Sequence, residues 1–108
     1  MNKELIAELT RAYWMELEAA WLMCQKAAML YDAGKSCGAE ANAAKFLGAQ
    51  AGYRAAERAV LTHGGMGYAE ESAVSRYWID ARVLSIFEGA EETLALKVIA
   101  RSLLENAA

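Results

Sequence analysis

Not one proline interrupts this chain of 108 residues. Proline breaks a helix by removing a backbone donor and clashing with the preceding turn, so its complete absence leaves long helices free to run. Alanine, leucine and glutamate, all good helix formers, are abundant. No four-residue run alternates apolar with polar over β-branched residues, as a half-buried strand would. The chain is therefore expected to be all-α, one domain over residues 1–108, and its 56% apolar content is ample for a packed core.

Helical spacing divides the chain. Ile6, Leu9, Tyr13, Leu17, Ala20, Cys24, Ala27 and Tyr31 recur at three and four residues, a stripe of roughly eight turns that Gly34 in "YDAGKSCG" ends. Trp14 and Trp21 stand one heptad apart, as do Met15, Leu22 and Met29, so a second apolar stripe lies beside the first. One partner helix cannot cover both. A second helix fits "GAEANAAKFLGAQAGYRAAERAVLTH", where Ala44, Gly48, Ala51, Ala55 and Ala59 form a small-residue strip for close helix approach. A third, shorter helix fits "SAVSRYWIDARV", capped by Ser72, with Val74, Tyr77, Trp78 and Ala81 on one face. A fourth fits "GAEETLALKVIARSLLE", with Leu94, Val98, Ile99, Ala100 and Leu103 on a broad apolar face. Short connections at 33–38, 64–72 and 83–89 force neighbours to run in opposite directions, predicting an antiparallel bundle of about four helices, three long and one short.

Charge and cysteine usage exclude several classes. The net charge is -3, with both signs mixed along the chain, so no basic stripe is offered to a nucleic acid. Lys3, Glu4, Glu8 and Arg11 break any signal-peptide core. Gly48 and Gly52 make a G-x-x-x-G, but Lys45, Arg54, Glu57 and Arg58 forbid a lipid-spanning reading. A soluble, cytoplasmic chain without nucleic-acid or membrane partners is expected. Cys24 and Cys37 are too few and too far apart for a disulfide scaffold or a zinc site, with a single histidine to help them. Both are expected to be reduced thiols, Cys24 in a core.

Two junctions carry the chemistry. "HGGMGY", residues 63–68, lacks the G-x-G-x-x-G spacing of a dinucleotide fingerprint and follows a helix where that motif needs a strand. It reads as a helix C-cap, with Gly64 at positive φ after His63. Three glycines in four residues exceed what a cap needs, and the surplus points to something passing close to the backbone. The second junction is "SIFEGAEE", residues 85–92. Its Glu88 follows the apolar pair Ile86–Phe87 and precedes a glycine at the start of a helical pattern. A carboxylate there is a helix-end charge, or, if the pair is buried, a base whose pKa burial raises.

The order "EANAAKFLGAQAGYRAAERAV…HGGMGY…RYWIDARVLSIFEGAEE…VIARSLL" resembles the C-terminal helical domain of the acyl-CoA dehydrogenases over nearly the whole chain. The "HGG-x-GY" loop, Arg76 and Asp80 in "RYWIDAR", "I-[FY]-E-G" and "IAR-x-LL" carry the likeness together. The resemblance implies an FAD enzyme that takes a proton from the α-carbon and a hydride from the β-carbon of an acyl-CoA. It implies that Glu88 is the base, and that its backbone N–H, with a ribityl hydroxyl, holds the thioester carbonyl. It implies also that Gly64, Gly65 and Gly67 run beside the FAD of a neighbouring subunit, and that Ala90 and Glu92 stand where the family touches its cofactor.

The departures carry their own expectations. The family usually has threonine where Ala90 stands, glutamine or glutamate at Glu92, and often glutamine at Leu61, so backbone contacts outlast side-chain ones at 61 and 90. The fourth helix carries one extra residue before "VIAR". The family's N-terminal helical domain, its β-domain and the first helix of this domain are missing from the chain, which is then a fragment or one subunit of a split enzyme, inactive alone. In the family this domain lies at the centre of a tetramer, so the isolated chain is expected to be colourless yet to form dimers or tetramers through its first helix. A non-catalytic assembly domain of the same fold is the alternative; flavin monooxygenases sharing the domain generally lack the E-G glutamate.

Overall fold

The structure, a computed structural model, describes residues 3–87, 90 and 93–107. Helix α1 spans Lys3–Asp32, α2 Gly38–His63, α3 the single turn Gly65–Tyr68, α4 Ala73–Val83 and α5 Ala100–Ala107, with a π-helical segment, Thr93–Ile99, leading into α5. The described residues contain no strand. The all-α bundle expected from the sequence is present, and the second helix has the bounds its spacing predicts.

Local chemistry sets the helix ends. At the end of α1, Gly34 has φ +70°. The Lys35 N–H donates to the Leu30 carbonyl and the Gly34 N–H to the Tyr31 carbonyl, the paired bonds of a Schellman cap. At the start of α4 the Ser72 hydroxyl accepts from the Val74 N–H at 3.3 Å. The buried Ser75 hydroxyl lies 2.8 Å from the carbonyls of both Ala69 and Ser72, tying the first turn of α4 to the chain before it. The π-helical segment occupies the stretch where one surplus residue was expected; a wider turn is how a helix absorbs an extra residue. Gly89, Glu91 and Glu92, assigned from sequence to the start of this helix, lie outside the described residues.

α2 is the spine. α1, α3, α4, the π-helical segment and α5 all pack on it, whereas α1 packs on α2 alone among the described residues. α1 and α2 run antiparallel: Glu16 and Arg54, equally distant from the link between the helices, approach to 3.6 Å. α4 returns antiparallel along α2, with the Arg82 guanidinium 5.4 Å from the centre of the Tyr53 ring.

The core differs from the expected one. The buried apolar residues among those described are alanines, Ala20, Ala27, Ala39, Ala49 and Ala51, and no large side chain is fully buried. α1 meets α2 through Tyr13, Glu16, Ala20, Met23, Ala27 and Leu30, buried or half-buried. The expected stripe is therefore turned by part of a turn. Leu17, Cys24 and Tyr31 are exposed, and so are Tyr77 and Leu103 on the later helices. Cys24 is not a core residue, because the alanine side of α1 lets the two axes approach and carries Cys24 outward. Ala51 of the small-residue strip on α2 is buried, while Ala44 and Gly48 line an open apolar groove of about 480 Å³ between α1 and α2, with Leu17, Trp21 and Cys24 opposite.

The molecule is elongated, with a radius of gyration of 16.6 Å against about 13 Å for a compact domain of this length. Its accessible surface is 7751 Å², against about 5,900 Å² for a folded monomer of this mass. Large apolar side chains stand exposed on it, among them Trp14, Trp21, Leu22 and Met29 on α1. No described helix is long and apolar enough to cross a membrane.

Candidate functional site

The first junction is built on the C-terminal end of α2. Its last carbonyls need partners, and Gly64 supplies one by donating its N–H to the Leu61 carbonyl at 3.1 Å. Gly64 has φ 64° and ψ −142°, a conformation open to glycine and little else. The His63 Nδ1–H donates to the Ala59 carbonyl at 2.7 Å, so the imidazole closes the same helix end. Gly67 is buried against α2: a Cβ there would collide with the Val60 carbonyl oxygen and stand 3.0 Å from the His63 Cβ. The close backbone inferred from the surplus glycines is, at Gly67, the chain's own. Gly65 differs, because a Cβ there would meet open space and its φ is not positive. Leu61, in the last turn of α2, is exposed.

The second junction hangs from the end of α4. The chain leaves α4 through turns at Leu84–Phe87, held by N–H donation from Ile86 and Phe87 to the Val83 carbonyl. Phe87 lies beneath the Lys45 ammonium, 5.7 Å from its ring centre. Ile86 and Phe87 are 56% and 46% exposed, so the apolar pair is not buried within this chain. Glu88 and Glu92 lie outside the described residues. Ala90 is exposed, in irregular backbone.

Register along α2 separates the two junctions. Leu84 reaches Gly52 and Phe87 reaches Lys45, while Gly64 caps the far end of the same helix. Along the axis that is roughly 18–28 Å. The turn bearing Gly65 and Gly67 packs on α2 and α4, the π-helical segment on α2 and α5, and the two share no contact among the described residues. Gly64, Gly65 and Gly67 thus come together with Leu61, but not with Phe87.

Sequence reasoning missed the polar wall next to the second junction. Gln50, Tyr53, Arg54, Glu57, Arg82 and Ser85 line a depression of about 360 Å³ between α2 and the end of α4. Its signal was the tyrosine–arginine pair at 53–54 on the face of α2 that α4 crosses, legible only once the α4 register is known. Among the described residues no cluster of three or more potential metal ligands occurs.

An all-α antiparallel bundle is the class this fold defines, and comparison with known proteins narrows it. The chain belongs to the acyl-CoA dehydrogenase family: the family described as "Acyl-CoA dehydrogenase, C-terminal domain" matches residues 1–104. It is 45% identical over 91 residues to (2S)-methylsuccinyl-CoA dehydrogenase of Cereibacter sphaeroides, covering 84% of this chain and 16% of that protein. It is 39% identical over 92 residues to the mitochondrial short-chain specific acyl-CoA dehydrogenase of Rattus norvegicus, covering 85% and 22%. Among solved structures, butyryl-CoA dehydrogenase from Megasphaera elsdenii superposes with a TM-score of 0.87 at 32% identity, over 95% of this chain and 27% of that one. The chain thus spans about a quarter or less of these relatives.

Proposed function

We propose that this chain is the C-terminal helical part of an FAD-dependent acyl-CoA dehydrogenase and works only when other polypeptide supplies the rest of the flavin and acyl-CoA pocket. The observation that carries the reading is the family match, whose span of residues 1–104 includes "HGGMGY" and "SIFEGAEE". In this reading Glu88 is the base. Its carboxylate removes the α-proton of the acyl thioester, and its backbone N–H donates to the thioester carbonyl as negative charge develops there. FAD, when bound, supplies the acceptor for the β-hydride. The exposed Ile86–Phe87 pair supports dependence on a companion, since other protein laid over it would exclude water and raise the Glu88 pKa towards that of a useful base.

The residues present fit FAD as one wall, not as a whole site. Gly64 and Gly65 offer backbone with no side chain between it and a ligand, and Gly65 faces open space. Gly67 serves the fold and shapes that wall only indirectly. Leu61 and Ala90 bring no polar side chain, so contact there runs through the backbone, with Glu92 the remaining polar candidate. The separation of the glycine turn from Phe87 along α2 supports assigning the turn to the FAD of a neighbouring subunit.

The test is Glu88→Gln in the complete enzyme, assembled with the companion polypeptide. The amide keeps the shape and cannot take the proton. FAD absorbance is expected to persist while reduction of the flavin by acyl-CoA slows about 10²–10⁴-fold. Reduction at the parent rate would move the base elsewhere and favour the second reading, an assembly domain, which the missing polar groups at Leu61 and Ala90 support.

A further inference from the structure

The stretch that leads into Glu88 is held to α2 by a short series of contacts. As the chain leaves α4, the Arg82 guanidinium stands over the Tyr53 ring, Leu84 lies against Gly52, and the Phe87 ring lies beneath the Lys45 ammonium at 5.7 Å. The partners on α2 step from 53 to 52 to 45, so the stretch tracks α2 towards its N-terminal end and meets Lys45 at Phe87, the residue before Glu88. Its backbone is closed by N–H donation from Ile86 and Phe87 to the Val83 carbonyl at 2.9 and 3.1 Å. Both side chains are about half exposed. Packing alone therefore holds Phe87 loosely, and a directed contact carries weight here.

Lys45 is suited to supply that contact. It is half-buried and lines the α1–α2 groove with Leu17, Ala20, Trp21 and Gly48, so apolar surface is at hand for its stem while the ammonium reaches Phe87. An ammonium within about 6 Å of a ring centre is drawn to the negative face of the ring, more strongly where water is partly excluded. Lys45 also stands about two turns into α2, the helix on which the rest of the bundle packs, and so beyond its fraying end. A charge fixed on the spine of the fold thus anchors a segment that is itself half exposed.

We propose that Lys45 is a positioning residue for the reaction: its ammonium clamps Phe87 onto α2 and so fixes where the next residue, Glu88, meets the acyl thioester. The inference rests on the reading of Glu88 as the base. It is tested first on the full chain by amide hydrogen exchange. Lys45→Met keeps the stem and removes the charge, and is expected to speed exchange at the Ile86 and Phe87 amides about tenfold, with the melting temperature unchanged. In the complete enzyme at saturating acyl-CoA, Lys45→Met and Phe87→Leu are each expected to slow flavin reduction about tenfold with FAD retained. The double variant is no slower than either single one, since both break the same contact. Lys45→Arg, whose guanidinium also stacks on a ring, recovers most of the rate. Exchange at the parent rate in Lys45→Met, or a double variant slowed by the product of the two single effects, overturns the clamp. Glu88→Gln keeps the two readings apart. If it reduces flavin at the parent rate, both fall; a slow Glu88→Gln beside a full-rate Lys45→Met overturns the role of Lys45 alone.

Discussion

Three glycines within four residues serve three different ends. Gly64 is held at φ 64°, ψ −142°, where a Cβ would strain the backbone; Gly67 lies against the Val60 carbonyl; Gly65 faces open space. Gly67→Ala is therefore expected to destabilise the chain by about 1–3 kcal/mol, since the neighbour it meets is rigid helix backbone. Gly65→Ala should stay within about 0.5 kcal/mol of the parent. Urea unfolding followed by circular dichroism separates the two, and equal midpoints would mean that the Gly67 contact does not constrain the turn. In the complete enzyme the order reverses for cofactor retention: Gly65→Ala, neutral for folding, is expected to loosen FAD, read as faster loss of yellow colour on gel filtration. The sequence signalled a close approach to this backbone, and could not show that part of it came from α2 itself.

Among the elements, caps were legible and faces were not. Ser72 was expected to open the third helix and does so through the Val74 N–H; Ser72→Ala should cost about 1 kcal/mol. Gly34 was expected to close the first helix and does so in the left-handed conformation, so Gly34→Ala should cost about 1–2 kcal/mol. Thermal unfolding reads both, and no change in Tm for either would mean that helix is not limited by its cap. These signals are local, depending on residues within one or two turns. The burial of α1 is not local. Apolar residues surround most of that helix, and a stripe one residue out of phase, from Leu17 through Cys24 to Tyr31, satisfies the same three-and-four spacing. Tyr13, Ala20 and Ala27 belong to both, and the packing on α2 takes the side that also carries Glu16, Met23 and Leu30.

At the scale of the whole molecule, the chain shows more surface than its mass requires, and its described residues bury little beyond alanine. A bundle in this condition should bind a hydrophobic dye in its monomeric form and lose that binding on association. Mixed with FAD alone, it is expected to stay colourless after gel filtration, since a single wall with Leu61 and Ala90 at its polar positions does not enclose the cofactor. A yellow, stoichiometric complex would show that the glycine turn and the Phe87–Ala90 segment suffice as a site.

The sequence by itself determined the helices, their ends and the family, because proline content, three-and-four spacing, capping residues and an ordered set of motifs are all properties of near neighbours along the chain. It also named Glu88 and the glycine turn as the places to look. Only the tertiary structure decided which side of α1 meets α2, that Cys24 and the Ile86–Phe87 pair stand at the surface, and that the glycine turn and Phe87 lie at different levels of one helix. The physical reason is rotational and axial register: a helix that is apolar on several sides can pack on any of them, and the choice belongs to the partner surface.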